Sequence, residues 1–178
     1  MRYEGLDAAR RQVELIYGDP EYDVDLRFLK KGSHAITWEN CRITPHIWRD
    51  LTANQESGYQ AYIKPNLSHL AGCNVWLDEN IDKWVATFID GDDIPIPEAI
   101  DWHLMPTFIV SRSPTRWQAW WTDKLNYNGY KWRAVQLGLA RHYGTDKLVA
   151  TPATLMRLAG TLNLKGDTAM PYTLDDFA

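Results

Sequence analysis

The chain has 178 residues, of which 45% are hydrophobic and 24% charged, and its formal net charge is −4. This length suits one domain, and the composition is that of a globular protein, which excludes disordered and fibrous classes. No apolar stretch reaches the roughly 20 residues that span a bilayer. Because the N-terminus also lacks the apolar segment of a signal peptide, we expect a cytoplasmic protein without a membrane partner. Cys41 and Cys73, the two cysteines, are 32 residues apart, which excludes a disulfide framework or a zinc knuckle.

The charge is unevenly distributed along the chain. Residues 1–104 have a net charge of −8, residues 105–165 a net charge of +7, and the last 13 residues a net charge of −3. A basic segment of this kind favours a polyanionic partner if its side chains share one face. A solvated helix surface that happens to be basic would give the same count.

The first predicted elements are a helix, a hairpin and a second helix. Asp7 is expected to cap a first helix of about ten residues. Alternating apolar and polar residues over 23–30 and 35–41 flank a Lys-Gly-Ser turn and predict a hairpin. Thr44 followed by Pro45 predicts the start of a short second helix. Further strands are predicted at residues 59–63, 74–77, 84–89, 107–110 and 117–121.

Three more helical segments complete the pattern. Residues 97–104 predict a short helix, and residues 129–143 predict the clearest one, with an apolar face formed by Trp132, Val135, Leu139 and His142. Thr151 and Pro152 predict a final short helix that stops at Gly160. Because strands and helices are interleaved without regular βαβ repetition, we expect an α+β domain with a mixed β-sheet flanked by helices.

The sharpest chemical feature is the sequence Asp90-Gly91-Asp92 at the end of an apolar strand. Side chains at positions i and i+2 of a strand point to the same face. Two carboxylates so placed can hold one or two divalent cations, with the intervening glycine leaving room for a phosphate. An acidic turn at the end of a strand, which is very common, is the alternative explanation.

Two other polar segments are candidates for ligand contacts. In the strand of residues 113–120, the amide of Gln118 is flanked by hydroxyls and an arginine and can contact a triphosphate or a base edge. Asp146 lies on a loop after the long helix, and Arg157 and Lys165 follow as candidate phosphate or template contacts. Taken singly, an exposed edge strand and solvated loop charges would explain these residues as well.

The order of these features resembles the archaeo-eukaryotic primase superfamily, and most closely the RepB-type primases of plasmids and phages. The resemblance covers about residues 70–165, and its most specific part is the run Arg157-Leu158-Ala159-Gly160 with Asn163 and Lys165. It implies an RRM-like primase-polymerase catalytic core. We accordingly expect a single domain over residues 1–178, with an N-terminal helix and hairpin module to about residue 55 and the catalytic core over 56–178.

The resemblance implies a DNA primase or primase-polymerase that transfers nucleotides on single-stranded DNA during replication of a plasmid, phage or mobile element. The catalytic residues would be Asp90, Asp92 and Asp146, which would also hold two Mg²⁺ or Mn²⁺ ions. NTPs or dNTPs would be bound by Ser113, Gln118, Arg157 and Lys165. From the basic segment, we expect DNA contacts from Arg116, Lys131 and Arg133. A replicative helicase or an accessory helical domain is the implied protein partner.

Two positions depart from the family pattern. Thr151 stands where family sequences often have a second aspartate, and Ala159 stands where proline is frequent. A non-catalytic initiator that binds single-stranded origin DNA is therefore an alternative, and a metal-dependent nuclease that uses the same carboxylates is another. A P-loop or Rossmann nucleotide site is not expected, because the sequence has neither glycine-rich motif.

Overall fold

The computed structural model describes residues 5–68, 77–122, 128–164 and 169–177. No helix within these ranges is both long and apolar enough to cross a membrane. In chain order, the described helices and strands are α1 (Gly5–Tyr17), β1 (Asp23–Leu29), β2 (Ile36–Arg42), α2 (Pro45–Glu56), β3 (Gln60–Lys64), β4 (Thr87–Asp92), β5 (Phe108–Ser113), β6 (Arg116–Trp121), α3 (Gly129–His142), β7 (Met156–Arg157), β8 (Leu162–Asn163), β9 (Met170–Pro171) and β10 (Thr173–Asp176).

The strands form two four-stranded sheets and a small hairpin. The first sheet has the order β2-β1-β3-β7, the second has the order β10-β5-β6-β4, and β8 pairs with β9. The predicted α+β class is confirmed, although within the described ranges the paired strands all run antiparallel rather than in a mixed sheet. Because β1 lies between β2 and β3, the N-terminal elements and the following strand belong to one sheet.

The second sheet is covered on both faces. A larger core cluster joins side chains of both four-stranded sheets and all three helices, and it includes Phe88 and Trp120. A smaller cluster on the other face contains Ile89 and Ala119, their neighbours along β4 and β6. Side chains alternate between the two faces of a strand. The continuous apolar run that precedes Asp90 is therefore explained by burial on both sides.

The predicted hairpin and second helix are confirmed. The strands β1 and β2 pair from Asp23 with Arg42 to Phe28 with Ile36. Thr44 caps α2 by accepting a hydrogen bond from the Ile47 N–H at 3.4 Å. The helix α1 begins at Gly5 rather than at Asp7. Residues 97–104 contain only a 3₁₀ turn, at Ala99–Asp101, and most of the strand predicted at 74–77 lies outside the described residues.

The helix α3 begins at the predicted residue and ends one residue before the predicted 143, and only Trp132 of the predicted apolar face is fully buried. Its buried residues are Trp132, Gln136 and Ala140, whereas Val135 is 38% exposed. Gln136 faces the core because its amide hydrogen-bonds both the N–H and the C=O of Phe88 in the edge strand β4. A glutamine therefore occupies the centre of the face that apolar spacing assigned to Val135 and Leu139.

The helix predicted from Thr151 to Gly160 is wrong. The segment turns at Thr151 and Pro152 and then forms β7, which pairs with β3. Residues 158–161 are buried in succession, and one face of a helix could not bury all of them. Gln12 of α1 holds this segment in place, because it donates to the Arg157 C=O at 3.2 Å and accepts from the Ala159 N–H at 2.7 Å.

Candidate active site

The ends of β4 and β6 form one wall of a polar cleft. Asp90 of β4 is opposite Gln118 of β6, and Asp92 is opposite Arg116. The cleft has a volume of about 340 Å³. Both acidic and basic side chains line the cleft, and the full set is Asp90, Asp92, Arg112, Arg116, Trp117, Gln118, Arg157, Asn163 and Tyr172. Carboxylates and arginines that meet in one cleft can bind a cation and an anion side by side.

Gly91 makes room for a tryptophan rather than for a phosphate. A Cβ atom on Gly91 would lie well inside the van der Waals contact distance of the Trp117 indole. This indole is buried and donates from Nε1 to the Ile94 C=O at 2.7 Å. The missing side chain at Gly91 therefore makes room for the Trp117 indole of the smaller core cluster. The expectation that this glycine leaves room for a phosphate is wrong.

Asp90 and Asp92 lie in different electrostatic environments. Burial, followed by the charge of Asp92, raises the pKa of Asp90 to about 6, and the charge of Asp146 acts in the same direction. A hydrogen bond from Gln118 and the charge of Arg157 oppose that rise in the pKa. Asp92 is exposed and is ion-paired with Arg116, whose Nη2 also lies 2.8 Å from Asp93 Oδ2.

Asp146 lies beside the end of β4 through a backbone contact. Its N–H donates to the Asp90 C=O at 3.4 Å. Its carboxylate accepts from the Leu148 N–H at 2.8 Å and caps the 3₁₀ turn Lys147–Val149. Among the described residues, no group of three His, Cys, Asp or Glu side chains is arranged to hold a metal ion. The three predicted ligands are thus neighbours, but only Asp90 and Asp92 line the cleft.

Gln118 connects the two sheets at the centre of the site. It is buried, its amide donates to Asp90, and its Oε1 accepts from the Arg157 N–H at 3.0 Å. One amide has both a donor and an acceptor, so it can serve a carboxylate and a backbone N–H at once. Gln118 therefore fixes the position of β7 relative to β4 as well as lining the cleft.

Arg157 is held by side chains from two other parts of the chain. Its Cζ lies 4.2 Å from the ring centroid of Tyr62 and 5.3 Å from that of Tyr172. Its Nη1 donates to Gln60 Oε1 at 2.8 Å. Burial raises the pKa of Tyr62, and the charge of Arg157 partly opposes that rise. The sequence prediction missed these partners, because Gln60 and Tyr62 are 97 and 95 positions from Arg157 and Tyr172 belongs to no recognisable motif.

The remaining predicted site residues lie in different parts of the molecule. Ser113 is at the end of β5, where its hydroxyl accepts from the Thr115 N–H at 3.4 Å. Lys131 and Arg133 are exposed in the first turns of α3. The other end of this helix, which leads to Asp146, is about 15 Å further along the helix axis. Lys165 lies outside the described residues. Arg112 lines the cleft but was not selected from the sequence, although it belongs to the basic segment.

The fold is similar to those of solved primase structures. The primase-polymerase domain of cyanophage S-2L matches with a TM-score of 0.72 and 18% identity, over 96% of this chain and 89% of that one. The primase RepB' matches with a TM-score of 0.66 and 19% identity, over 96% of this chain and 56% of that one, so this chain spans about half of its length. The catalytic domain of RepB' in complex with initiator DNA matches with a TM-score of 0.62 and 19% identity, over 94% and 82% of the two chains.

No protein-family model matches the chain, and no curated protein matches it in sequence. The similarity to the solved structures nevertheless covers 94–96% of this chain, and so takes in its N-terminal elements. It confirms the resemblance that the motifs indicated, at the level of the fold. The chain therefore has the fold of the catalytic domains of a phage primase-polymerase and of the primase RepB'.

Proposed function

We propose that the chain is a DNA primase or primase-polymerase catalytic domain that transfers nucleotides on a single-stranded DNA template. The observation that supports this proposal most directly is the composition of the cleft. Two carboxylates of β4 share it with three arginines, Arg112, Arg116 and Arg157. Nucleotidyl transfer needs carboxylates for cations and fixed positive charge for a triphosphate. Plasmid, phage or mobile-element replication is the proposed setting, because the solved relatives are phage and RepB' proteins.

In this proposal, Asp90, Asp92 and Asp146 are the catalytic carboxylates and hold two Mg²⁺ or Mn²⁺ ions. Asp90 and Asp92 suit such ions, because both carboxylates lie at the end of β4 and line the cleft, while Asp146 meets the end of β4 through its backbone N–H. Oxygen ligands are those that Mg²⁺ and Mn²⁺ prefer. Bound ions would activate a 3′-hydroxyl and neutralise the phosphates of the incoming nucleotide.

The other side chains divide between nucleotide and template. We assign Ser113, Gln118, Arg157 and Lys165 to the nucleotide, with Gln118 also orienting Asp90. Arg116, Lys131 and Arg133 are assigned to DNA. The exposed basic side chains of α3 would contact the phosphate backbone of DNA that leaves the cleft. A helicase or a helical accessory domain would be the protein partner.

The decisive experiment supplies labelled NTPs and dNTPs with Mn²⁺ on circular single-stranded DNA, with and without a primer. Products formed without a primer indicate a primase, and products formed only with one indicate a polymerase. Shortened DNA would indicate a nuclease and would overturn the proposal. The Asp90→Asn and Asp92→Asn variants serve as matched controls, since each removes one charge and nearly preserves side-chain shape.

A replication initiator without catalysis is the second candidate. It is favoured by Thr151, whose hydroxyl is hydrogen-bonded to that of Thr154 at 2.6 Å where family sequences often have a carboxylate. The lack of a ready three-ligand metal group in the described part of the chain points the same way. An initiator would bind single-stranded DNA in the experiment above and leave it unchanged.

A further inference from the structure

We propose that Tyr62 and Tyr172 are positioning residues that fix the Arg157 guanidinium, so that it presents its edge to a phosphate group in the cleft. This inference rests on the proposed function and deepens it, because it assigns the nucleotide's phosphates, rather than its base, to Arg157. It goes beyond the motif residues, since neither tyrosine belongs to a motif that the sequence analysis selected.

The packing of Arg157 determines which ligand it can accept. A flat guanidinium stacks on aromatic rings or on bases through its faces, and it binds phosphates through the N–H groups of its edge. Tyr62 and Tyr172 already pack against Arg157, at 4.2 Å and 5.3 Å from their ring centroids. One edge donor is used by Gln60, and a further hydrogen bond joins the Arg157 guanidinium to the Tyr62 side chain. The donors that are left suit a phosphate better than a stacked base.

The clamp formed by the two tyrosine rings also keeps Arg157 apart from Asp90. Arg157 and Asp90 line the same cleft, yet within the described residues no ion pair joins the two side chains. An arginine without lateral support would gain by closing onto that carboxylate, because opposite charges attract strongly in a partly buried cleft. By holding the guanidinium, the tyrosine rings leave Asp90 open to a cation and Arg157 open to an anion.

Tyr172 is itself held rigidly by its own segment. Its N–H donates to the Thr161 C=O at 2.8 Å, and its C=O accepts from the Gly160 N–H at 2.8 Å. The next strand, β10, pairs with β5 from Thr173 to Asp176. The tyrosine is 8% exposed. Tyr172 therefore belongs to a segment that is hydrogen-bonded both to residues 160–161, which follow β7, and to β5 of the second sheet.

The test is a double-mutant cycle on triphosphate binding, measured by calorimetry with dATP and with inorganic tripolyphosphate. Loss of a ring contact in Tyr62→Leu or Tyr172→Leu should weaken both ligands roughly three- to thirtyfold. Tyr172→Phe keeps the ring and should stay within about twofold of wild type, whereas Tyr62→Phe keeps the ring but loses its hydrogen bond to Arg157 and should lie between wild type and Tyr62→Leu. In an Arg157→Ala background, the leucine changes should cause no further loss. Single-stranded DNA affinity should be unchanged, and Tyr130→Leu, an exposed tyrosine of α3, is the matched control.

The outcomes separate the clamp from the proposed function. If the leucine variants bind tripolyphosphate as wild type does, or weaken it equally with and without Arg157, the clamp is overturned while polymerisation stands. If the coupling is seen but wild type never forms a phosphodiester bond, the clamp stands and the proposed function fails. If wild type binds neither ligand, both are overturned. Melting temperatures identify any variant that fails to fold, and the phenylalanine variants then decide the result.

Discussion

Uncharged amide side chains hold the charged groups of the cleft in place. Gln118 contacts Asp90 and the Arg157 N–H, and Gln60 binds the Arg157 guanidinium. Gln12 donates to the Arg157 C=O and accepts from the Ala159 N–H. An amide adds no charge, so it can order a carboxylate or an arginine without neutralising it. The charges of Asp90 and Arg157 are thereby left for ligands, whereas Asp92 and Arg116 are ion-paired with each other.

Each of the three carboxylates should be needed for catalysis but not for folding. Asp90→Asn, Asp92→Asn or Asp146→Asn should abolish nucleotide incorporation and reduce the rise in melting temperature that Mn²⁺ causes in wild type by binding the native state. Without metal, Asp90→Asn should be as stable as wild type or more so, because burial and Asp92 disfavour its charge. Thermal unfolding with and without Mn²⁺ measures both effects. Full activity and a full metal shift in Asp146→Asn would remove Asp146 from the site.

Gly91→Ala should destabilise the protein through Trp117. The added methyl group would overlap the buried indole, and overpacking of this kind costs about 1–3 kcal/mol. Gly138→Ala is the matched control, since nothing lies near its Cβ position on α3, and there alanine should stabilise by about 1 kcal/mol. Urea unfolding measures both changes. Equal stability of Gly91→Ala and wild type would mean that the indole can move aside.

At the scale of elements, α3 closes the open edge of the second sheet. Gln136 takes the place of a neighbouring strand by pairing with both backbone groups of Phe88, and Trp132 donates from Nε1 to the Ala86 C=O at 2.7 Å. The end of the same helix leads into the Asp146 loop. The edge of β4 and the third carboxylate are thus placed by one element.

Gln136→Leu should be costly even though it puts an apolar residue into the core. It leaves the N–H and C=O of Phe88 buried without partners, and the decrease in unfolding free energy should be about 2–4 kcal/mol. Amide exchange at Phe88 should accelerate by a corresponding factor. Val135→Ala, one residue away and 38% exposed, should change the stability by less than about 0.5 kcal/mol. A change below that value in Gln136→Leu would show that water replaces the amide.

Local signals predicted the elements that depend on local physics, and they failed where distant contacts decide. The β1–β2 hairpin, the Thr44 cap and the bounds of α3 follow from alternation, capping and periodicity. Thr151-Pro152 carries an equally good helix signal, but pairing of Met156 and Arg157 with β3 overrides it. Likewise, the motif order pointed to Asp90 and Arg157, whereas Tyr62 and Tyr172 reach Arg157 only through sheet topology.

At the scale of the whole molecule, the acidic and basic parts of the chain meet at the cleft. The acidic N-terminal part supplies Asp90 and Asp92, and the basic segment supplies Arg112, Arg116 and Arg157. The outer surface of α3 extends the positive region, because residues 129–145 contain no acidic residue. The net charge of −4 therefore conceals a polarised surface suited to a polyanion.

Binding of single-stranded DNA should be strongly salt-dependent. Log affinity should fall linearly with log salt, and Lys131→Glu or Arg133→Glu should reduce the slope by about 0.7 for each phosphate that the variant no longer neutralises. Arg116→Glu should also weaken triphosphate binding, because Arg116 lines the cleft. Arg49→Glu makes the same charge change on the exposed face of α2 and should leave the slope unchanged. Fluorescence anisotropy at several salt concentrations gives the slopes. Identical slopes in all variants would place the DNA elsewhere.

The pairing of β7 with β3 fixes the order in which the protein can mature during its synthesis. Tyr62 is made 95 residues before Arg157 and 110 residues before Tyr172. At about 5–20 residues per second, one edge of the first sheet waits roughly 5–20 s for its last strand. During that time, the N–H and C=O groups of β3 have no strand to pair with on that side and are open to wrong partners. A nascent chain should therefore gain triphosphate binding only after its last strands have left the ribosome.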